Sequence, residues 1–457
     1  MAGTWTEQTH SSGAQPNTML LLTDGSVIAT DSHGGWYKLT PDSTGGYING
    51  TWSKVASSAY SRLYFASVVM NDGRVFVGGG EYGNGGNTIE IYDPVKNTWT
   101  KVTSWKGGYI KDSSAKMLPN GDVLLESGYD YSYIWNPNTD TWTTTAKKYY
   151  ADSYSEESSE LLPGGRILNV VNGGTDINHS EIYDASSNTW IEGDNTGVKL
   201  SDGEIGPGVL LYNGAVVQFG AKGASAIYNP STNIWKAGPT TPLAANKYPI
   251  QFDDAPAAVL PNGNVLLIGD SGGYNGPGYA LVFSPTTNSF SIVSGPPDPL
   301  FPVLGAYNYR LLVLPTGQIL LSDGLSAMGF VYTPDGTPIA SAAPKIISVT
   351  RNSDTSYTLT GTQLNGSTEG AYYGDDAQMA TNYPIVRLKS STGRIYYGRT
   401  YDFSTMSLAT GSAHVTTKFV IPEAAPTGTY SLEVIANGIA SAPVAVSLEP
   451  STTAFYR

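Results

Sequence analysis

The sequence predicts an all-β fold, a seven-bladed β-propeller followed by a smaller β-sandwich. Three observations carry this. One hairpin phrase recurs seven times, with turn glycines 44 to 54 residues apart. Two further strand-like runs follow each of the first six copies and one follows the seventh, and the pattern stops near Ala343, where short alternating strands of another kind begin.

The phrase is an apolar run, a turn ending in glycine, and a second apolar run. It reads LLLTDGSVIAT, SVVMNDGRVFVGGG, KMLPNGDVLLESG, ELLPGGRILNVV, VLLYNGAVVQFG, AVLPNGNVLLIGD and LVLPTGQILLSDG. Asp-Gly and Asn-Gly between apolar runs are strong hairpin signals. The turn glycines are Gly25, Gly73, Gly121, Gly165, Gly214, Gly263 and Gly317. A third strand follows with an aromatic at Tyr92, Tyr183, Tyr228, Phe283 or Tyr332. A fourth is opened by Asn-Thr-Trp or a variant, at Trp52, Trp99, Trp142, Trp190, Trp235 and Phe290.

Four strands in each of seven repeats make a seven-bladed propeller. The seventh repeat lacks its last strand, and GTWTEQ around Trp5 is expected to supply it and close the ring. The propeller is expected over residues 1–342. From 343 to 450, about seven short alternating strands (PKIISVT to APVAVSLEP) have the pattern of an immunoglobulin-like, early-set sandwich, and 451–457 form a tail.

Composition narrows the partners. Of 457 residues only 14% are charged, and the net charge of −13 disfavours nucleic acid and anionic membranes. No apolar run is long enough for a membrane helix. Cysteine is absent, which removes disulfides, thiolate metal sites and cysteine nucleophiles. The opening MAGTWTEQ reads as strand rather than leader, while the Ser/Thr/Asn/Tyr-rich surface suggests an extracellular, periplasmic or cell-surface monomer.

In a propeller the residues just ahead of each innermost strand ring the mouth of the central channel. Nine residues before each turn glycine stand Pro16, Tyr64, Asp112, Glu156, Ile205, Asp254 and Asn308. Three are carboxylates, with Glu157, Glu204 and Asp253 beside them and Arg62, Lys111 and Arg310 as nearby cations. Asp112, Glu156 and Asp254 are candidate general acids and bases, because converging carboxylates raise one another's pKa. Asp253 and Asp254 are also candidates for a hard cation such as Ca²⁺. The alternative for all of them is structural, as acceptors for backbone N–H groups at blade seams. EYGNGGN and SGGYNGPG are glycine-rich, but no helix follows them, so they read as loops and not phosphate cradles.

The hairpins, the Tyr-Asp/Asn-Pro and Asn-Thr-Trp strands, Ser61-Arg62-Leu63-Tyr64 and Tyr307 together resemble the galactose oxidase and glyoxal oxidase family. These are copper-radical oxidases with kelch-type blades, and the resemblance is closer to bacterial relatives of that family than to the oxidases themselves. It implies a Tyr-His pair binding copper, a second Tyr cross-linked to Cys, and a second His from the C-terminal domain. Tyr307 matches the Tyr, but the neighbouring His position is Asn308 and no Cys exists. The segment expected to thread the channel, GRTYDFSTM (398–406), has no His. Copper(II) favours imidazole nitrogen, so no copper cofactor is expected and none other is required.

The readings that stay open are three. The first is a non-redox, carbohydrate-directed propeller contacting its ligand through Arg62, Tyr64, Glu204, Asp253, Tyr307, Asn308 and Arg310. The second is a glycoside hydrolase or polysaccharide lyase using the carboxylates. The third is a kelch-type protein-interaction scaffold. Asp375 and Asp376, in the long stretch GAYYGDDAQMATNYP, are expected to face the propeller or bind a cation.

Overall fold

A computed structural model describes residues 3–126, 130–150, 156–171, 178–373 and 379–449. Seven sheets stand around one axis, six of four strands and one of five. The only helical elements described are two three-residue 3₁₀ turns. Ring closure follows the sequence expectation. Thr4–Glu7 pairs antiparallel with Phe330–Thr333, placing Trp5 opposite Tyr332.

The repeat residues explain themselves once paired. Every turn glycine of the seven hairpins has positive φ, from +76° at Gly25 to +90° at Gly121, where a side chain would be strained. The third-strand aromatic faces the fourth-strand aromatic across the sheet: Tyr92 opposite Trp99, Tyr183 opposite Trp190, Tyr228 opposite Trp235. Their ring centroids lie 5.0, 5.1 and 5.0 Å apart. Such pairs add about 0.5–1.5 kcal/mol beyond burial.

The Asn of Asn-Thr-Trp has its own task. Asn97 sits at φ +52° and accepts the Tyr92 hydroxyl at 3.0 Å and the Ala56 N–H at 2.8 Å. Trp99 donates its indole N–H to the Ala56 carbonyl at 2.8 Å. One motif therefore shapes its own turn and stitches its blade to the preceding one. Asn188 repeats this with Tyr183 and Ala146.

Beyond the propeller, eight strands between Lys345 and Leu448 form a curled antiparallel sheet closed over Leu359, Val386, Leu388, Phe419, Leu432 and Val434. One segment from this region leaves it. Ala371–Tyr373 enters the propeller and adds a fifth strand inside blade 6, pairing Ala371 with Ala258 and Tyr373 with Pro256.

That strand fills the channel. Glu369 just before it pairs with Lys116 of blade 3 at 2.9 Å and accepts the Leu161 N–H of blade 4 at 3.0 Å. Tyr373 reaches blade 7, and Tyr383 donates to the Leu21 carbonyl of blade 1. A cavity of about 20 Å³ between Val68, Met117, Leu161, Glu369 and Met406 has room for about one water. The expectation that 398–406 threads the channel is therefore corrected. Those residues dock on hairpin turns of blades 2 and 3, with Phe403 N bonded to the Asn71 carbonyl and Met406 N to that of Pro119. Asp375, Asp376 and the tail 451–457 lie outside the described residues.

Candidate functional site at the channel mouth

The ring positions lie where the register puts them, two or three residues ahead of each inner strand. Pro16 and Ile205 are buried, whereas Tyr64, Glu156, Asp254, Tyr307 and Asn308 are half-exposed at the opening. Two of these hold a left-handed backbone without being glycine, Tyr64 at φ +50° and Asp254 at +47°. Such residues cost about 1–3 kcal/mol each and are typical of sites where side-chain direction matters more than comfort.

The aromatic side of the mouth is assembled from both domains. Tyr373, delivered by the inserted strand, lies nearly parallel to Tyr64, with centroids 6.1 Å apart and planes 8° apart. Its hydroxyl donates to the Tyr307 carbonyl at 2.9 Å. Tyr82 meets Tyr64 edge-on at 5.9 Å, and Tyr274 meets Tyr307 edge-on at 5.7 Å. The Arg310 guanidinium stacks on Tyr373, 3.6 Å from the ring centroid, and lies 5.5 Å from that of Tyr64. Its Nη1 donates to the carbonyls of Tyr307 and Tyr309 at 2.6 and 3.0 Å. Asn308 turns its amide back onto the Gly305 carbonyl at 3.2 Å, within the 3₁₀ turn Ala306–Asn308.

The acidic side gathers around a residue the sequence reading passed over. Glu81, in the loop EYGNGGN, is raised above the usual carboxylate range, first by burial and then by the charge of Glu156. Hydrogen bonds with Asp112 and Tyr82 oppose the rise. Glu81 thus joins Asp112 and Glu156 into one cluster on the side of blades 2 to 4. Asp254 stands instead on the blade 6 side. Its neighbour Asp253 is buried and paired with Lys222 at 2.7 Å, and burial still leaves its carboxyl raised. Lys222 therefore supplies a counter-charge for Asp253. Glu204 is half-buried in the turn before the inner strand of blade 5.

Arg62 corrects a second expectation. It is buried, pairs with Glu90 at 3.0 Å, and donates to the Gly79 carbonyl and Thr88 hydroxyl at 2.6 and 2.8 Å. Glu90 also accepts the Ala59 N–H at 2.8 Å. This is a hydrogen-bond hub inside blade 2, not a ligand contact.

Several residues of the mouth carried no sequence signal as candidates. Glu81, Tyr82 and Tyr274 sit in glycine-rich loops read only as connectors. Tyr373 sits in the long stretch 370–384, whose unusual length was its one clue.

Residues 62–104 match the Kelch motif. The chain carries a kelch repeat. An F-box/kelch-repeat protein of Arabidopsis thaliana is 36% identical over 77 residues, 16% of this chain and 15% of its own. Kelch-like protein 36 of Mus musculus is 23% identical over 214 residues, 42% of this chain and 34% of its own. The chain therefore spans about a third or less of these curated relatives. Among solved structures, a fungal alcohol oxidase of the AA5 family in complex with copper superposes with a TM-score of 0.54 at 17% identity, covering 98% of this chain and 100% of the other. At that identity the likeness extends to the fold.

Tyr307 is flanked by the amide of Asn308 and the guanidinium of Arg310, and Tyr373 arrives from the C-terminal region. Among the described residues no three His, Cys, Asp or Glu are grouped to hold a metal ion. No helix of the described residues is long and apolar enough to cross a membrane. A concavity of about 1060 Å³ lies elsewhere, between hairpin turns of blades 1 and 2 and the sandwich strand Ile395–Tyr401. Along it Arg74 pairs with Asp72 at 2.7 Å and Lys418 with Asp402 at 3.0 Å.

Proposed function

We propose that the chain is a non-redox, carbohydrate-directed propeller that binds a polyhydroxylated ligand at the channel mouth. The observation that carries this reading is the half-exposed Tyr64 and Tyr307, backed by buried Tyr373 and Arg310, with the Glu81–Asp112–Glu156 cluster joined to Tyr64 through the Glu81 N–H. Aromatic planes offer faces to sugar rings, and carboxylates accept from several hydroxyls at once. Asn308, lacking an imidazole, leaves the family's copper position as a polar contact for the same ligand.

Melting temperature measured against a panel of neutral and acidic sugars tests this. A binding sugar stabilises the fold, by about 2.7 kcal/mol at a hundred times its Kd. Tyr64→Ala is expected to remove the shift while the protein stays folded. No shift with any sugar, or a shift indifferent to Tyr64→Ala, contradicts the reading.

The raised Glu81 beside Glu156 favours one second reading, glycoside hydrolysis with Glu81 as proton donor. Release of reducing ends from a glycan, lost in Glu81→Gln and Glu156→Gln, would establish it over binding alone.

A further inference from the structure

Four cations are buried among the described residues: Arg62, Lys116, Lys148 and Arg310. Three have a carboxylate, Arg62 with Glu90 at 3.0 Å, Lys116 with Glu369 at 2.9 Å and Lys148 with Glu157 at 3.1 Å. Arg310 is fully buried, yet no carboxylate of the described residues lies within ion-pair distance. Its Nη1 is used by two carbonyls, but among the described residues no group accepts from Nε or Nη2. A buried guanidinium without a counter-charge is costly, and carbonyl dipoles with one aromatic face offset that cost in part.

The Nε–Nη2 edge is the side of an arginine that grips a carboxylate through two parallel hydrogen bonds. One face of this guanidinium rests on Tyr373, and the half-exposed ring of Tyr64 lies 5.5 Å from it. Because Arg310 is fully buried and Tyr64 beside it is half-exposed, a ligand that reaches this edge has to displace the Tyr64 ring. We propose that Arg310 is the anion-recognition residue of the mouth and that the bound ligand carries a carboxylate, as a sugar acid of the uronate class does.

This rests on the carbohydrate reading and orients it. The carboxylate of the ligand points to blade 7, and its hydroxyls point to Glu81, Asp112 and Glu156 on the side of blades 2 to 4. The same acidic cluster would repel an anion bound in reverse, so the mouth reads polarity as well as shape.

The test is calorimetric titration of the full chain with D-galacturonate, its methyl ester, D-galactose and sodium acetate. Galacturonate is expected to bind about ten-fold or more tightly than the ester or galactose, the size of effect a charge-assisted bidentate pair supplies. Arg310→Lys, which keeps the charge but loses the fork, is expected to erase that ratio. If Arg310→Lys does not fold, the acid-against-ester comparison on the unaltered protein decides. Equal affinity for acid and ester, or a ratio that survives Arg310→Lys, overturns the inference and leaves sugar binding standing. Acetate binding without any sugar binding keeps the Arg310 assignment and defeats the carbohydrate reading. No binding of any probe defeats both.

Discussion

The hydroxyl of Tyr373 donates to the carbonyl of Tyr307 at 2.9 Å, so a residue of the C-terminal region completes the rim of blade 7. The mouth is thus a composite. Its aromatic wall exists only while the inserted strand stays in the channel. Tyr373→Phe is expected to cost about 1 kcal/mol in chemical denaturation, the net worth of one hydrogen bond, while leaving the Arg310 stack in place.

The strand is anchored by charge as well as by pairing. Lys116 and Glu369 are both buried and 2.9 Å apart, so removing one partner strands the other. Glu369→Gln or Lys116→Met is expected to lose about 3–5 kcal/mol. The double change Lys116→Met/Glu369→Leu is expected to recover much of that, because neither charge is then buried alone. Denaturant midpoints of the three variants check this directly.

Beside that pair, burial pushes Glu160 up to about 8. A carboxyl with a raised folded pKa binds its proton more tightly in the folded chain than in the unfolded one. Its destabilising effect is absent below about pH 4.5, grows as pH rises, and is complete above about pH 8. Glu160→Gln keeps an oxygen for the Ser158 hydroxyl and is expected to raise stability at pH 9 by up to roughly 4 kcal/mol. The gain should vanish near pH 4. Melting curves of both proteins across that range read the difference.

Asn97 combines a left-handed backbone with two accepted hydrogen bonds. Asn97→Ala is expected to lose about 1–2 kcal/mol from backbone strain alone, and Asn97→Gly less of that part. A melting series of the two variants separates strain from lost bonds.

Arg62 separates architecture from binding. Arg62→Met leaves Glu90 buried without its cation and is expected to lower stability by about 3 kcal/mol or more. Sugar affinity of the folded protein should not change. An affinity loss at constant fold would return Arg62 to the site.

The propeller was legible because its motifs are local. A turn that needs positive φ selects glycine, and a cross-strand pair that needs two aromatics selects Tyr and Trp at fixed spacing. Tyr64, Glu156, Asp254 and Asn308 reached the mouth by counting back from those glycines. Tyr373 was hidden because a strand that pairs far from its sequence neighbours looks like any other short apolar run. The preference for 398–406 as the threading segment failed for the same reason. Glu81, Tyr82 and Tyr274 were missed because glycine-rich loops disclose their flexibility but not their direction. Both arginines are buried, and the Glu90 partner of Arg62 separates it from Arg310; no property of either neighbourhood in the sequence distinguishes the two.

The most direct measurement is a crystal structure of the chain soaked with D-galacturonate. The account predicts density for the sugar at the channel mouth, with its carboxylate on Nε and Nη2 of Arg310, the Tyr64 ring displaced from over the guanidinium, and hydroxyls toward Glu81 and Glu156. Sugar density in the groove beside Tyr396 and Tyr401, with Tyr64 still closed over Arg310, would contradict it.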